Sequence, residues 1–507
     1  MFDPARADLV LGIVGIGAMG RGIAQIAATS GAEVRFVDAR PGAAEEARAA
    51  IAAILDGLAA KGRMDRAAAT AAAARLKPVA GLADLSDAHV VVEAIVEDLE
   101  AKRALFAELE KAVGPDCILA TNTSSLAVAA IAAACARPGR VAGFHFFNPV
   151  PLMRIVEVIG GALTEPWVTD ALTGLARRFG HRPVRAADLP GFLVNHAGRG
   201  LTTEALRLLH EGVAGVEDAD RILREACGFR MGPFEFLDLT GLDVSLPVME
   251  TIYRQFYDEP RFRPSVLLGR RLAAGLLGRK SGRGFYTYRD GRPVAGAEPP
   301  APVAAPRPVW IAAEEDGWRK ALADLAMHAG WTVDAGAQAG PGSLCLVAPL
   351  GRDATETALE HGLDPRRTVA VDLLPGLAAR RTLMTTPLTE PAWKDAAHAL
   401  LAADGTPVTT IRDSHGFVAQ RVLATIVNIA CDMAQQRIAT PDDIDAAVRL
   451  GLGYPQGPLA WGDALGPMRV LGILERILAG TGDPRYRPSP WLARRARLGV
   501  SLLTPEP

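Results

Sequence analysis

Five cysteines in 507 residues (Cys117, Cys135, Cys227, Cys345 and Cys431) lie far apart, and none forms a CxxC pair. That excludes a disulfide framework and the usual structural zinc spacing, so no metal is expected and a reducing, cytoplasmic setting fits. Basic excess is missing as well: 55 Lys and Arg against 57 Asp and Glu give a formal charge of -2. With no cationic surplus to neutralise a phosphate backbone, nucleic acid is not an expected partner. No apolar run approaches the roughly 18–20 residues that span a bilayer, so no membrane partner is expected. The mean hydropathy of +0.15 comes largely from alanine scattered among charged residues. The first residues show no basic segment followed by an apolar core and cleavage site, so secretion is not expected.

What is present is an ordinary globular balance, 49% hydrophobic and 22% charged, in a chain too long for one domain. Leu9–Val14 is a short apolar run followed by Gly15-Ile16-Gly17-Ala18-Met19-Gly20, a helical stretch, and a second run ending at Asp38. Further apolar runs at 90–92, 117–120 and 141–147 alternate with helical patterns, among them 98–113. Alternation of this kind predicts a parallel sheet with helices on both faces. After Pro190-Gly191 the pattern turns helical to about Leu277. The stretch 292–308 (RPVAGAEPPAPVAAPRP) reads as a semi-extended linker.

The second half repeats the first. A gapless shift of 225 residues lays Gly191-Phe192 on Gly416-Phe417, Gly232-Pro233 on Gly457-Pro458, Asp220 on Asp445 and Asp238 on Asp463; a shift of 224 lays Arg261–Ser265 on Arg485–Ser489. The chain is a duplicated sheet-plus-helices unit with an eroded second copy.

Four constellations carry candidate chemistry. Glycines at 15, 17 and 20 allow a tight turn and close approach of backbone to a pyrophosphate, which the next helix N-terminus would hold. Asp38, eighteen residues after Gly20, is placed to bond ribose hydroxyls and to repel a 2′-phosphate, favouring NAD over NADP; Arg40 works against that preference. Thr121–Ser125 (TNTSS) ends a strand-like run. Two readings stand for it: a helix cap before Leu126, with Ser125 as the cap, or a loop that faces Ser124 into a ligand crevice. His145, among Phe144, Phe146 and Phe147, is either a core histidine or half of a pair with Glu157, the carboxylate that interrupts Ile155–Ile159. In the second reading the carboxylate orients one ring nitrogen and the other accepts a substrate proton.

Taken together, GIGAMG, VVEAIVED (91–98), NTSSL (122–126), HFFNPVPLMRIVEVI (145–159), PGFLVN (190–195), MGPFEFLD (231–238) and GRKSGRGFY (278–286) resemble the NAD-dependent L-3-hydroxyacyl-CoA dehydrogenases. The likeness runs through residues 8–290. It implies an α/β Rossmann-like domain plus an all-α C-terminal domain, the unit duplicated with a degenerate second copy. The expected segments are 1–187 (NAD-binding), 188–290 (helical), 291–308 (linker), 309–410 (degenerate Rossmann-like) and 411–507 (second helical). The resemblance implies His145 and Glu157 as catalytic pair, with Ser124 and Asn195 positioning substrate and cofactor. It puts Glu97, Lys102, Asn122 and Asn148 near NAD, and Lys61 near the CoA moiety.

The implied partners are a 3-hydroxyacyl-CoA or 3-ketoacyl-CoA and either a second copy or, through the duplication, the chain's own other half. The family usually has Arg after the PGFxxN asparagine; here that residue is His196. Long two-unit relatives include enzymes of phenylacetate breakdown acting on 3-hydroxyadipyl-CoA, and Ser489–Trp491 resembles their ending. Two rivals share the fold. A β-hydroxyacid dehydrogenase on a non-CoA substrate would more often use a junction lysine, yet lysine is absent between Lys111 and Lys280. A non-catalytic NAD-binding homologue would be expected to have let the site drift. The second copy has done so: the shift puts Ala370, Thr382 and Gln420 where the first copy has His145, Glu157 and Asn195, and no glycine turn follows Val309–Ala312.

Overall fold

The computed structural model describes residues 3–294 and 296–506. The chain forms two compact units, Met1–His196 with Gln436–Leu452, and Ala197–Gln435 with Gly453–Pro507.

The first unit is built on an eight-stranded sheet: β1 (Val10–Val14), β2 (Glu33–Val37), β3 (Leu76–Pro78), β4 (Val90–Glu93), β5 (Ile118–Thr121), β6 (Val141–Phe146), β7 (Ile155–Gly160) and β8 (Arg182–Ala187), in the order β3-β2-β1-β4-β5-β6-β7-β8. Helices α1 (Ala18–Thr29), α2 (Ala43–Ala60), α3 (Arg66–Ala74) and α4 (Leu99–Ala112) make the crossovers. Strands covered on both faces read as unbroken apolar runs, and β1, β4 and β5 are buried along almost their whole length.

The expectation of a wholly parallel sheet needs one correction, because β7 runs antiparallel to β6. Only Phe147–Arg154 joins these strands, too short for the crossover of a dozen or so residues that a parallel partner needs. The reversal has a chemical consequence: it sets His145 directly opposite Glu157 in the ladder.

Compactness divides the chain differently from the five segments expected. Gln436–Leu452, from the second copy, belongs to the first unit, where the Ala187 N–H donates to Ile438 O at 2.8 Å and Arg182 pairs with Asp443 at 3.3 Å.

The second unit holds the sheet of the second copy and most of the helices. A hairpin, β9 (Thr287–Arg289) and β10 (Arg292–Val294), already occupies the start of the expected linker. Further along that segment Glu298 bonds Arg380 and Arg221, which ties it down. The sheet then runs β11 (Val309–Ala313), β12 (Leu344–Ala348), β13 (Thr368–Val371), β14 (Arg381–Thr385) and β15 (Val408–Ile411), in that order, with β13–β14 antiparallel.

Under the 225-residue shift β12 to β15 fall on β5 to β8. Strand β11, the neighbour of β12, therefore holds the place of β4 rather than of β1. The copy has not merely lost a glycine turn after its first strand; among the described residues none of its strands corresponds to β1, β2 or β3, and a single parallel bridge from Val309 to Val333 is what lies on that side of β11. Also in this unit, helix Arg199–His210 packs along helix Val418–Gln435.

Candidate active site

The glycine turn lies at the C-terminal end of β1, between that strand and α1. Gly15 has φ +90°, and a side chain there would press on Ala94 O. One at Gly20 would collide with Gly15 O, whereas one at Gly17 would meet nothing within 4 Å. Gly17 also starts α1 without a side-chain cap, so the first amides of the helix face open space over a backbone stripped of Cβ. Those features fit a pyrophosphate. Asp38 braces the turn: Oδ2 accepts from Ile16 N at 2.8 Å and Oδ1 from Arg40 N at 2.9 Å. The Arg40 guanidinium is occupied by Glu46 at 2.6 Å, which blunts its appeal to a 2′-phosphate.

A second cluster lies at the C-terminal ends of β4 and β5. Glu93 is fully buried. Its Oε1 meets Lys102 Nζ at 2.6 Å and Ile95 N at 2.7 Å, and its Oε2 accepts from Thr121 Oγ1 at 2.7 Å. Lys102, 1% exposed, also lies 3.3 Å from Glu97 Oε2. Glu97 Oε1 gathers the expected loop, accepting from Thr123 Oγ1 (2.7 Å), Ser124 N (2.8 Å), Ser125 N and Oγ (both 3.0 Å) and Ser124 Oγ (3.2 Å). Burial pushes the Glu97 carboxyl up, but the Thr123 hydroxyl and the Lys102 charge outweigh it and hold it below its usual range. The cap reading is corrected: the next helix, Val128–Ala132, has Ala127 at its N-cap with no side-chain cap, so Ser125 does not cap it, and Leu126 N donates instead to Thr123 Oγ1 at 3.0 Å within the loop.

Asn122 links this cluster to the next strand, its Oδ1 accepting from Phe146 N at 2.8 Å. One residue earlier, His145 Nδ1 stands 2.5 Å from Glu157 Oε2, with side-chain exposures of 7% and 0%. Glu157 Oε1 accepts from Leu193 N at 3.0 Å and Val194 N at 2.8 Å. Those amides reach it because Gly191 and Phe192 both take positive φ, +76° and +46°, and turn the chain into the short helix Val194–Ala197. A non-glycine residue in that conformation is strained by about 1–3 kcal/mol and persists where the surroundings over-determine it. Phe147 and Phe192 flank the imidazole, with ring centroids 4.5 and 5.9 Å away.

The structure therefore joins Glu97, Lys102, Asn122, Ser124, His145 and Glu157 through one run of hydrogen bonds and strand neighbours. Asn195 is half-buried on the helix that follows the two amides held by Glu157, and Asn148 is exposed just beyond β6. Lys61 sits exposed at the C-terminal end of α2, outside this run. Glu93, Thr121, Thr123 and the amides of Leu193 and Val194 were not foreseen. The signal for Glu93 was in plain view, a carboxylate closing the apolar run Val90–Val92 just as Glu157 interrupts its own strand.

Two family descriptions match. The 3-hydroxyacyl-CoA dehydrogenase NAD binding domain covers residues 10–189, and the C-terminal domain of the same family covers 191–288 and again 416–501. A 3-hydroxyadipyl-CoA dehydrogenase of Escherichia coli is 37% identical over 96% of this chain and 97% of its own. A probable 3-hydroxybutyryl-CoA dehydrogenase of Deinococcus radiodurans is 41% identical over 55% of this chain and 99% of its own, so the short form spans one copy. A crystal structure described as 3-hydroxybutyryl-CoA dehydrogenase from Escherichia coli superposes with a TM-score of 0.84 at 35% identity, covering 97% of this chain and 99% of that one. The chain belongs to the 3-hydroxyacyl-CoA dehydrogenase family and carries its NAD-binding domain.

Proposed function

We propose that the first copy interconverts an L-3-hydroxyacyl-CoA and the 3-ketoacyl-CoA, with His145 and Glu157 as its acid–base pair. The observation that carries the reading is the 2.5 Å contact between His145 Nδ1 and Glu157 Oε2. A carboxylate accepting from Nδ1–H leaves Nε2 with the lone pair, which takes the proton of the substrate hydroxyl during oxidation and returns it during reduction. The amides of Leu193 and Val194 hold Glu157 in register, so the ring is oriented before substrate arrives. Glu157 also favours the imidazolium that develops as the proton moves.

Gly15, Gly17, Gly20 and Asp38 would hold the adenosine and pyrophosphate part of NAD, with Glu97, Asn122 and Asn148 toward its other end and Lys102 buried behind Glu97. Bound there, NAD supplies the hydride acceptor. Ser124 and Asn195 position the substrate oxygens, and Lys61 presents its ammonium to solvent where a CoA phosphate would meet it.

One site per chain follows from the second copy. Gln420, the counterpart of Asn195, is spent internally: it bonds Gly351 N at 2.7 Å, Pro349 O at 3.2 Å and Asp372 Oδ1 at 3.0 Å. The packing of helix Arg199–His210 on Val418–Gln435 supports a pseudo-dimer made within one chain.

The test is NADH consumption with acetoacetyl-CoA, 3-ketoadipyl-CoA and a medium-chain 3-ketoacyl-CoA, with NADPH as control. Turnover with NADH on at least one is expected, and the ranking assigns the acyl group. His145→Ala should lose at least a hundredfold in kcat while keeping NADH affinity. Silence of the parent protein on all three, with NADH still bound, would sink the reading.

A further inference from the structure

We infer that Lys102, braced from behind by Glu93, is a positioning residue that holds Glu97 and, through it, the loop carrying Ser124. The inference rests on the reading above only for what Ser124 does; the positioning itself stands on geometry.

An ammonium 1% exposed cannot serve as a surface cation, and here it is enclosed by two carboxylates from one strand end. Glu93 uses both oxygens inside the fold and offers nothing to a ligand. Its part is to fix Lys102 Nζ at 2.6 Å and to pin the end of β5 through Thr121. Lys102 then reaches Glu97 Oε2, which leaves Glu97 Oε1 turned to the 123–125 loop.

Five donors converge on that single oxygen, two of them backbone amides, so the loop's path depends on where one carboxylate is held. The Ser124 hydroxyl is also among them at 3.2 Å. Because Lys102 shares the charge of Glu97, the carboxylate competes less strongly for that hydroxyl, which can then turn to a substrate oxygen. Without the ammonium, Glu93 and Glu97 would be two carboxylates near each other with no cation between them, and Glu97 would lose the charge that holds its Oε2.

Lys102→Met alone would strand the fully buried Glu93, and that variant could fail to fold for this reason. The decisive variant is therefore Glu93→Gln with Lys102→Met, which removes both fully buried charges, keeps an oxygen acceptor for Ile95 N while its amide NH2 donates to the Thr121 hydroxyl, and leaves Glu97 without its anchor. Amide hydrogen exchange is measured on the full chain, together with steady-state kinetics. The expected result is exchange at least tenfold faster in the peptide covering 122–126, parental exchange in β1 and β4, and a kcat at least tenfold lower with KM for the acyl substrate changed less than threefold.

Parental exchange in the 122–126 peptide overturns the inference whatever the kinetics. So does acceleration spread equally through β1 and β4, which would make the pair a general brace of the sheet. Faster loop exchange in a protein whose parent turns over no acyl-CoA would leave the positioning role standing and refute the enzymatic reading instead.

Discussion

Arg421 is 3% exposed and donates to Glu204 Oε1 at 2.7 Å, to the Tyr486 hydroxyl at 2.8 Å and to Glu211 at 2.7 Å; Tyr486 in turn donates to Glu204 at 2.7 Å. The register that duplicates the chain gives this network a mirror, with Arg421 falling on His196, Glu204 on Ile429 and, at the shift of 224, Tyr486 on Phe262. One copy of the arrangement is charged, and its counterpart has no guanidinium, carboxylate or hydroxyl at the matching positions. Loss of a single member would leave a buried charge exposed to low dielectric, at about 3–5 kcal/mol, whereas joint replacement by apolar groups is often neutral. Arg421→Met should therefore destabilise the second unit by about 3–5 kcal/mol. Arg421→Met with Glu204→Ile and Tyr486→Phe should recover part of that, the remainder being the cost of Arg485, which loses its 3.6 Å contact with Glu204. Six of the seven tryptophans (Trp310, Trp318, Trp331, Trp393, Trp461 and Trp491) belong to the second unit, so urea unfolding followed by tryptophan fluorescence reads it almost alone. Burial works to raise the Glu204 carboxyl, and the Arg421 and Arg485 charges overcome it, leaving it lowered. A depressed carboxyl stabilises above its unfolded value and loses that contribution as pH falls, so the Arg421→Met deficit should shrink toward pH 4. A single variant within about 1 kcal/mol of the parent, or a triple variant no better than the single, would refute the reasoning.

Three other outcomes are expected. Gly17→Ala should leave the thermal transition in place yet weaken NADH binding in a fluorescence titration, because its Cβ enters open space over the turn; Gly20→Ala should lower the transition itself, since its Cβ strikes Gly15 O. Glu157→Gln removes the charge that favours the imidazolium and leaves a single oxygen where Nδ1–H and the Leu193 and Val194 amides had two, so kcat should fall by at least about 10–100-fold with KM changed less. Asp372 is buried, and burial pushes its carboxyl up to about 6 against the pull of Gln420 and the Leu374 amide. An acid raised in the folded state keeps its proton where the unfolded chain has lost it, so stability falls as pH rises from about 4 to about 6 and is flat above. Asp372→Asn should remove that slope, gaining up to about 3 kcal/mol on the parent between pH 4.5 and 7.5 in urea titrations; a difference that does not change with pH would contradict it.

Local signals made the first unit legible. A glycine turn between a strand and a helix, Asp38 at the next strand end and apolar runs spaced by helical patterns are each written within a few residues. The His145–Glu157 pair was legible as a pairing of two polar intruders in apolar strands, but not the reversal of β7 that makes it a direct cross-strand contact. Strand direction there is decided by the length of a connection rather than by any residue in it. Glu93 carries the same signature as Glu157, but its partner Lys102 lies nine residues on, on a helix, and the resemblance points that lysine toward NAD rather than toward a buried carboxylate. The second copy was legible as a repeat, since Gly416-Phe417 and Gly457-Pro458 keep their spacing. What spacing alone does not report is which strands are left: β11 looks like a first strand in sequence and takes the place of a fourth-ordered one in the sheet. Stripped of the strands that would hold a dinucleotide, the second copy still supplies the sheet against which Gln420 and Asp372 are buried and the helix from which Arg421 reaches Glu204. Its Gln420 and Arg421 stand where the first copy has Asn195 and His196, so positions that face a site in one copy are packing positions in the other.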